Sequence, residues 1–236
     1  MQPAPIESPA DSLAERGRLM NSSKARFNMV EQQVRPWQVL DTRVLDALSR
    51  LPREQFVAPQ WQALAYTDTD LPIGHGEMLL AAKIDARLAQ DLQLKPTDRV
   101  LDVGTGSGFL AALLSDLAQE VVSLEVQAEL AEQAKARLTR LGKSQVKVLH
   151  RDASSSLKDL GLFDAVVLGG SVAEVPATLL SLLNPGGRLL AIVGDTPIMR
   201  VERHTCVTPG EYAVQSLWDI VAPRLHGFAE HPSFSF

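Results

Sequence analysis

Three glycines spaced two apart mark the place in this chain where chemistry is most legible. The stretch reads Val100-Leu-Asp-Val-Gly-Thr-Gly-Ser-Gly108. An apolar run (Val100, Leu101, Val103) stops at Gly104, Gly106 and Gly108, with Thr105 and Ser107 between them, and Phe109-Leu-Ala-Ala-Leu-Leu then opens a helical pattern. The pattern predicts a buried strand, a tight turn and a helix N-terminus, which together hold a nucleotide-like ligand at the carboxyl end of a parallel strand. Glycine allows positive φ and lets a ligand approach the backbone with no Cβ in the way.

The spacing and the neighbouring acids narrow the ligand. A dinucleotide fingerprint has its third glycine three residues after the second, and here that position is Phe109. Asp102 enters the turn, where an acid opposes a pyrophosphate and suits a ligand with positive charge. The sulfonium and ammonium of S-adenosyl-L-methionine meet that description. The next apolar run, Val121-Val-Ser-Leu124, ends at Glu125-Val126, 17 residues past Gly108. A carboxylate there can accept both ribose hydroxyls. A third run, Val146-Lys-Val-Leu149, leads to Asp152-Ala153, where a carboxylate can accept from the adenine amino group. Each acid alone has an ordinary explanation as a strand-end charge or a cap. One acid at each of three successive strand ends points to S-adenosyl-L-methionine, with S-adenosyl-L-homocysteine as the product form.

Several other chemistries are excluded. There is no His-Glu-x-x-His or Cys-x-x-Cys pair, and the five histidines (75, 150, 204, 226, 231) lack ligand spacing, so no metal site is expected. Gly169-Gly170-Ser171 is not a hydrolase elbow. Gly142-Lys-Ser lacks the upstream glycine of a phosphate loop. The net charge is −5 and no Lys/Arg-rich block occurs, which argues against a nucleic-acid partner. The single cysteine, Cys206, is expected as a buried strand residue. No window approaches the apolar length of a membrane span and the start lacks an apolar signal core, so a cytoplasmic enzyme without a membrane partner is expected.

The elements that position these residues follow from periodicity. Alternating signals predict strand 99–103, helix 107–117, strand 121–125, helix 127–141, strand 146–149, strand 165–168, helix 176–183, a turn at 184–187 and strand 188–193. Such alternation implies an α/β fold, a Rossmann-like, doubly wound, mostly parallel sheet with helices on both faces. Residues 199–207 and 212–221 read as a closing antiparallel hairpin. N-terminal helices are expected over 25–34, with a stripe of Phe27, Val30 and Val34, and over 41–50, capped by Asp41 with a stripe of Val44, Leu45 and Leu48. Residues 51–76 are rich in Pro and Gly, and a helix over 79–92 follows. The division expected is a disordered arm, 1–20, with Met20 as an alternative start, then an N-terminal helical and loop region, 21–95, and a ligand-binding core, 96–236. Residues 21–236 are expected to fold as one domain.

Beside these readings, the chain resembles the protein-L-isoaspartate O-methyltransferases from about Val30 into the 190s. The carriers are Leu51-Pro-Arg-Glu-Gln-Phe-Val, Ala65-Tyr-Thr-Asp, Leu71-Pro-Ile-Gly-His-Gly, Val100 to Gly108 and Asn184-Pro-Gly-Gly. The resemblance implies carboxyl O-methylation of L-isoaspartyl residues in damaged proteins, which is protein repair. Two stretches depart from it. After Pro-Ile-Gly the family carries Gln-Thr-Ile-Ser-Gln-Pro, and this chain has Glu77-Met78-Leu79-Leu80-Ala81-Ala82. The serine position is Leu80. Where the family has Thr-Ala-Ala after its fourth strand, this chain has Gly169-Gly170-Ser171. The resemblance thereby places the acceptor near His75, Met78, Leu79, Leu80, Gly170 and Ser171, with His75 and Lys83 as the cations that would offset the lost polar groups. Three alternatives stay open: an isoaspartyl methyltransferase acting on protein or peptide, a methyltransferase for a less polar acceptor such as a small molecule, and a non-catalytic S-adenosyl-L-methionine-binding protein.

Overall fold

The computed structural model describes residues 22–230. The expected arm at 1–20 lies outside them. Seven strands form the main sheet: β3 (Arg99–Val103), β4 (Glu120–Glu125), β5 (Val146–His150), β6 (Phe163–Val172), β7 (Leu183–Asp195), β8 (Ile198–Thr208) and β9 (Glu211–Asp219). A separate two-stranded hairpin, β1 (Leu71–Gly74) and β2 (Glu77–Leu79), precedes them. The sheet order is β5-β4-β3-β6-β7-β8-β9. β5 through β7 pair in parallel, and β8 and β9 are antiparallel additions. From β3 the chain winds outward to β4 and β5, then returns to place β6 on the other side of β3. The gap between the carboxyl ends of β3 and β6 is therefore the topological switch point, where open α/β sheets bind ligands.

Two apolar clusters cover the two faces of the sheet. Val100, Val121, Ala165 and Ile192 face one cluster, with α2 (Thr42–Arg50), α3 (Ala82–Asp91) and α4 (Phe109–Ser115) packed over it. Leu101, Val103, Val122, Leu124 and Cys206 face the other, which includes Leu179 of α6 (Ala177–Leu180). Strand alternation drives this division, because successive side chains point to opposite faces. The same alternation puts Asp102 and Ser123, cross-strand partners, together on the first face. α5 (Ala128–Arg140) packs on β4 and β5.

Three expectations change. The first helix, α1 (22–29), runs into a π turn, Val30–Val34, and a 3-10 turn at Arg35–Trp37 where Pro36 removes a donor. The wider turn sets Val34 toward the Met29 side of Val30. Met29 is buried in consequence, whereas Phe27, expected in the stripe, is 64% exposed. The helix expected over 79–92 begins only at Ala82, because Leu79 ends the strand Glu77–Leu79, in which Met78 pairs with Pro72 and Leu79 with Leu71. The Ala81 N–H, expected inside that helix, donates instead to Asp70 Oδ1 at 2.8 Å. Finally, β6 and β7 extend beyond the expected runs, and the Asn184-Pro-Gly-Gly turn becomes a bulge within β7. Asp41 caps α2 as expected, accepting from the Arg43 N–H, and Val44, Leu45 and Leu48 are buried.

Candidate active site

A cavity opens at the switch point. Its floor is the turn after β3 (Val103, Gly104, Gly106), one side is the end of β4 (Leu124, Glu125, Val126), and the other is Gly169 and Gly170 of β6. The hairpin contributes Ile73, Glu77, Met78 and Leu80, and the segment after β9 contributes Pro223 to His226 and Phe228.

The glycine turn is fastened to β4. The N–H groups of Gly104 and Thr105 donate to Leu124 O at 2.9 and 3.0 Å. Glu125, 5% exposed, accepts from the Gly106 N–H through Oε2 at 2.8 Å and from the Gln127 N–H through Oε1 at 3.0 Å. A carboxylate has about four lone-pair positions, so after these two bonds it still has acceptors to offer the cavity, as a ribose diol requires. Beneath the turn, the Ser123 hydroxyl donates to Asp102 Oδ2 at 2.6 Å. The 2.6 Å contact between Thr105 and Ser123 is then donated by Thr105, because the Ser123 proton is already committed. Asp102 is fully buried, and among the described residues its Oδ1 has no hydrogen-bond partner. Burial pushes its carboxyl up to about 7, against the lowering effect of the Ser123 hydroxyl. A buried acid directly under the turn favours a cationic ligand group above it. A Cβ on Gly169 would lie 2.9 Å from the Gly104 carbonyl, which leaves no room for a side chain, and one on Gly106 would press on Ile73 at 3.1 Å at a positive φ of +51° that disfavours side chains. These residues fit S-adenosyl-L-methionine.

Of the expected ligand residues, Gly104, Gly106, Glu125, Val126 and Ala153 line the cavity. Asp102 and Thr105 form the layer below it. Gly108 caps α4 with φ +85° and packs on Ala134 and Leu138 of α5. Ser107 lines a separate groove with Phe56 and Arg137, and its carbonyl accepts from Arg137 Nη1 at 2.6 Å. Asp152 sits outside the lining, its Oδ1 accepting from the Ser154 N–H at 2.8 Å in an Asx turn.

Of the expected acceptor residues, Met78, Leu80 and Gly170 line the cavity. Leu79 points into the core. Ser171 is fully buried, and its hydroxyl donates to Ala222 O at 3.0 Å. At the hairpin tip, His75 pairs with Glu129 of α5 at 3.1 Å. Lys83 pairs with Asp68 at 2.7 Å and lies over the Trp37 ring. The hairpin is held from behind by Arg53, wholly buried, which donates to Ala65 O at 2.9 Å and to Leu80 O, stands 3.5 Å from Asp85 and stacks on Phe109. Glu77 and Gly169 stand in the two departing stretches without having been singled out, and sequence reasoning missed Ile73, Arg151 and the stretch Pro223 to His226 with Phe228. Ile73 stands within the quoted Leu-Pro-Ile-Gly motif, while the last stretch has no periodicity that would have flagged it.

Strand order, switch point and acid-bearing strand ends define a Rossmann-like α/β protein of the kind that binds nucleoside ligands. The comparisons narrow this. The family model for protein-L-isoaspartate(D-aspartate) O-methyltransferase matches residues 24–215. The protein-L-isoaspartate O-methyltransferase 2 of Marinobacter nauticus is 40% identical over 199 residues, covering 84% of this chain and 91% of that protein. The protein-L-isoaspartate O-methyltransferase of Koribacter versatilis is 39% identical over 170 residues, 72% of this chain and 77% of its own length. A crystal structure of a Plasmodium falciparum protein of the same description, in complex with S-adenosyl-L-homocysteine, matches with a TM-score of 0.73 at 23% identity, covering 84% of this chain and 96% of that one, and shows the fold. The chain belongs to the protein-L-isoaspartate(D-aspartate) O-methyltransferase family.

Proposed function

We propose that this chain is an S-adenosyl-L-methionine-dependent methyltransferase that esterifies the free carboxyl of L-isoaspartyl residues in damaged proteins. The observation that carries this is the match over residues 24–215, together with a switch-point cavity whose floor and ribose-side acid suit the donor. When bound, S-adenosyl-L-methionine supplies a methyl on a cationic sulfur, which a carboxylate takes in one displacement, leaving S-adenosyl-L-homocysteine and a neutral methyl ester. The acceptor is ionised at neutral pH, since carboxyls of this type titrate near 4, so no side chain has to remove a proton. The work of the protein is alignment and exclusion of water, worth about 7–11 kcal/mol in well-oriented sites.

The residue roles follow from position. Gly104 and Gly106 admit the donor to the backbone, Glu125 receives the ribose hydroxyls, and Val126 (38% exposed) and Ala153 offer apolar contact to the adenine beside Asp152. Asp102, Thr105, Ser107 and Gly108 hold the turn. Met78, Leu80 and Gly170 form the acceptor wall, with His75, Leu79 and Ser171 supporting it from behind or at its rim. We further read residues 21–95 and 96–236 as one folding unit, because a single apolar cluster joins α2 and α3 to β3 and β4. The reading extends to a cytoplasmic enzyme acting on protein. No helix among the described residues is long and apolar enough to cross a membrane.

The Met78 and Leu80 side chains favour a second proposal, a less polar acceptor, because an apolar wall desolvates a carboxylate without returning a hydrogen bond. Labelled-methyl transfer to an isoaspartyl peptide and to its aspartyl twin separates the two. Base-labile label on the isoaspartyl peptide alone supports repair, and no label on either refutes it.

A further inference from the structure

The segment after β9 lies beyond residues 24–215, yet Pro223 to His226 and Phe228 line the cavity. Ser171 N–H donates to Pro223 O at 2.8 Å, and Leu225 N–H donates to Ser171 O at 2.9 Å, which stitches the segment to β6. Arg224 pairs with Asp195 and donates to Gly194 O at 2.9 Å. On the far side, His226 Nε2 meets Glu77 Oε1 of the hairpin at 2.8 Å. Gly227 turns the chain with φ +89° against Asp152, where a Cβ would come within 3.0 Å of Oδ1.

Between these tethers the Leu225 side chain points down onto the glycines. Its Cδ2 would lie 2.7 Å from a Cβ at Gly104 and 3.1 Å from one at Gly170. Glycines at a switch point leave room for a ligand to rest on the backbone. Here the isobutyl group of Leu225 fills that room. The space left in the cavity is about 60 Å³, whereas pockets that bury small ligands measure roughly 300–1,000 Å³. A donor resting on Gly104 and Leu225 in this position cannot coexist.

We propose that residues 223–228 form an intrasteric strap: Leu225 occupies the donor's place, and donor binds only when the strap lifts, releasing the His226–Glu77 contact and the hydrogen bond from the Leu225 N–H to Ser171 O. This rests on the donor assignment made above. The tether to the hairpin suits a reversible strap, since the His226 side chain is largely exposed and exposed pairs hold weakly. A ligand that binds only the lifted form has an apparent Kd equal to its intrinsic Kd divided by the fraction lifted. Weakening the closed form therefore tightens binding, the opposite of what removing a wall residue does.

The test is calorimetric titration of the full chain with S-adenosyl-L-homocysteine, for wild type, Leu225→Ala and His226→Gln, with hydrogen exchange of the wild type followed in parallel. Expected are at least about fivefold tighter binding for Leu225→Ala, a smaller tightening for His226→Gln, and loss of protection at the Leu225 amide when ligand binds. Weaker or unchanged binding by Leu225→Ala, or a gain of protection at Leu225, overturns the strap and makes the segment a wall or a lid that closes on donor. Wild type binding with unaltered variants leaves the donor assignment standing alone. Wild type silent with Leu225→Ala binding supports the strap, and silence from all three overturns both.

Discussion

Glu125→Ala tests the donor site most directly. The carboxylate is 5% exposed, and each oxygen already accepts one backbone N–H, from Gly106 and from Gln127. The remaining lone pairs are the acceptors proposed for the ribose hydroxyls. A hydrogen bond to a charged group contributes about 1.5–3 kcal/mol, so binding of S-adenosyl-L-homocysteine should weaken by roughly 10- to 150-fold. The substitution also releases the Gly106 and Gln127 amides. Offset by relief from burying a charge, that should cost about 2 kcal/mol of stability, lowering Tm by roughly 4–8 °C for a chain of this size. Calorimetric titration gives the first quantity and a thermal melt by circular dichroism the second. A fall in Tm with donor affinity changed less than about threefold would show that Glu125 braces the turn and does not touch the ligand.

Three further outcomes are expected. Asp102 has its carboxyl raised to about 7 by burial, so its stabilising contribution is full below about pH 4 and is lost as pH rises toward 7. Urea unfolding near pH 5 and near pH 8 should show Asp102→Asn gaining roughly 2–3 kcal/mol on wild type across that interval, and an equal pH dependence in both proteins would contradict it. Leu80→Ser returns a hydroxyl to the acceptor wall and should raise kcat/KM for an isoaspartyl peptide by about two- to tenfold, the worth of one hydrogen bond, while a fall would point to an apolar acceptor. Arg53→Met leaves Asp85 buried beside it without its cation and frees the carbonyls of Ala65 and Leu80. It should cost about 3–5 kcal/mol in denaturant unfolding, and a cost under about 1 kcal/mol would mean that Asp85 is neutral in the folded chain.

The parts of the fold that were legible are those with local causes. β3 occupies the residues expected because an apolar run meets a glycine, and α2 starts at its cap because Asp41 satisfies an amide two residues on. The parts that were missed have causes outside the residues' own periodicity. Leu79 to Ala81 were expected in the helix over 79–92, but Leu71 pairs with Leu79 and Asp70 takes the Ala81 amide, so α3 starts at Ala82. Phe27 has the right spacing for a straight helix, and a π turn one residue after Met29 rotates the buried stripe away from it. In the site, Ser171 and Leu79 were chosen by proximity to the motif. Strand alternation aims Leu79 at the core, and Ser171 spends its hydrogen bonds on the segment fifty residues downstream.

By itself the sequence determined the strand–turn–helix that carries Gly104 to Gly108, the acids at the ends of β3 and β4 and after β5, and the family. These depend on side-chain type, backbone freedom at glycine and periodicities of a few residues, all of which are written locally. Only the tertiary structure decided which of those groups face a ligand and what stands opposite them. Asp102 went beneath the floor because its cross-strand neighbour is Ser123, and Leu225 came to rest on Gly104 because the chain after β9 turns back across the switch point. Contacts between residues some 120 positions apart arise from sheet order and packing, and no short-range pattern encodes them.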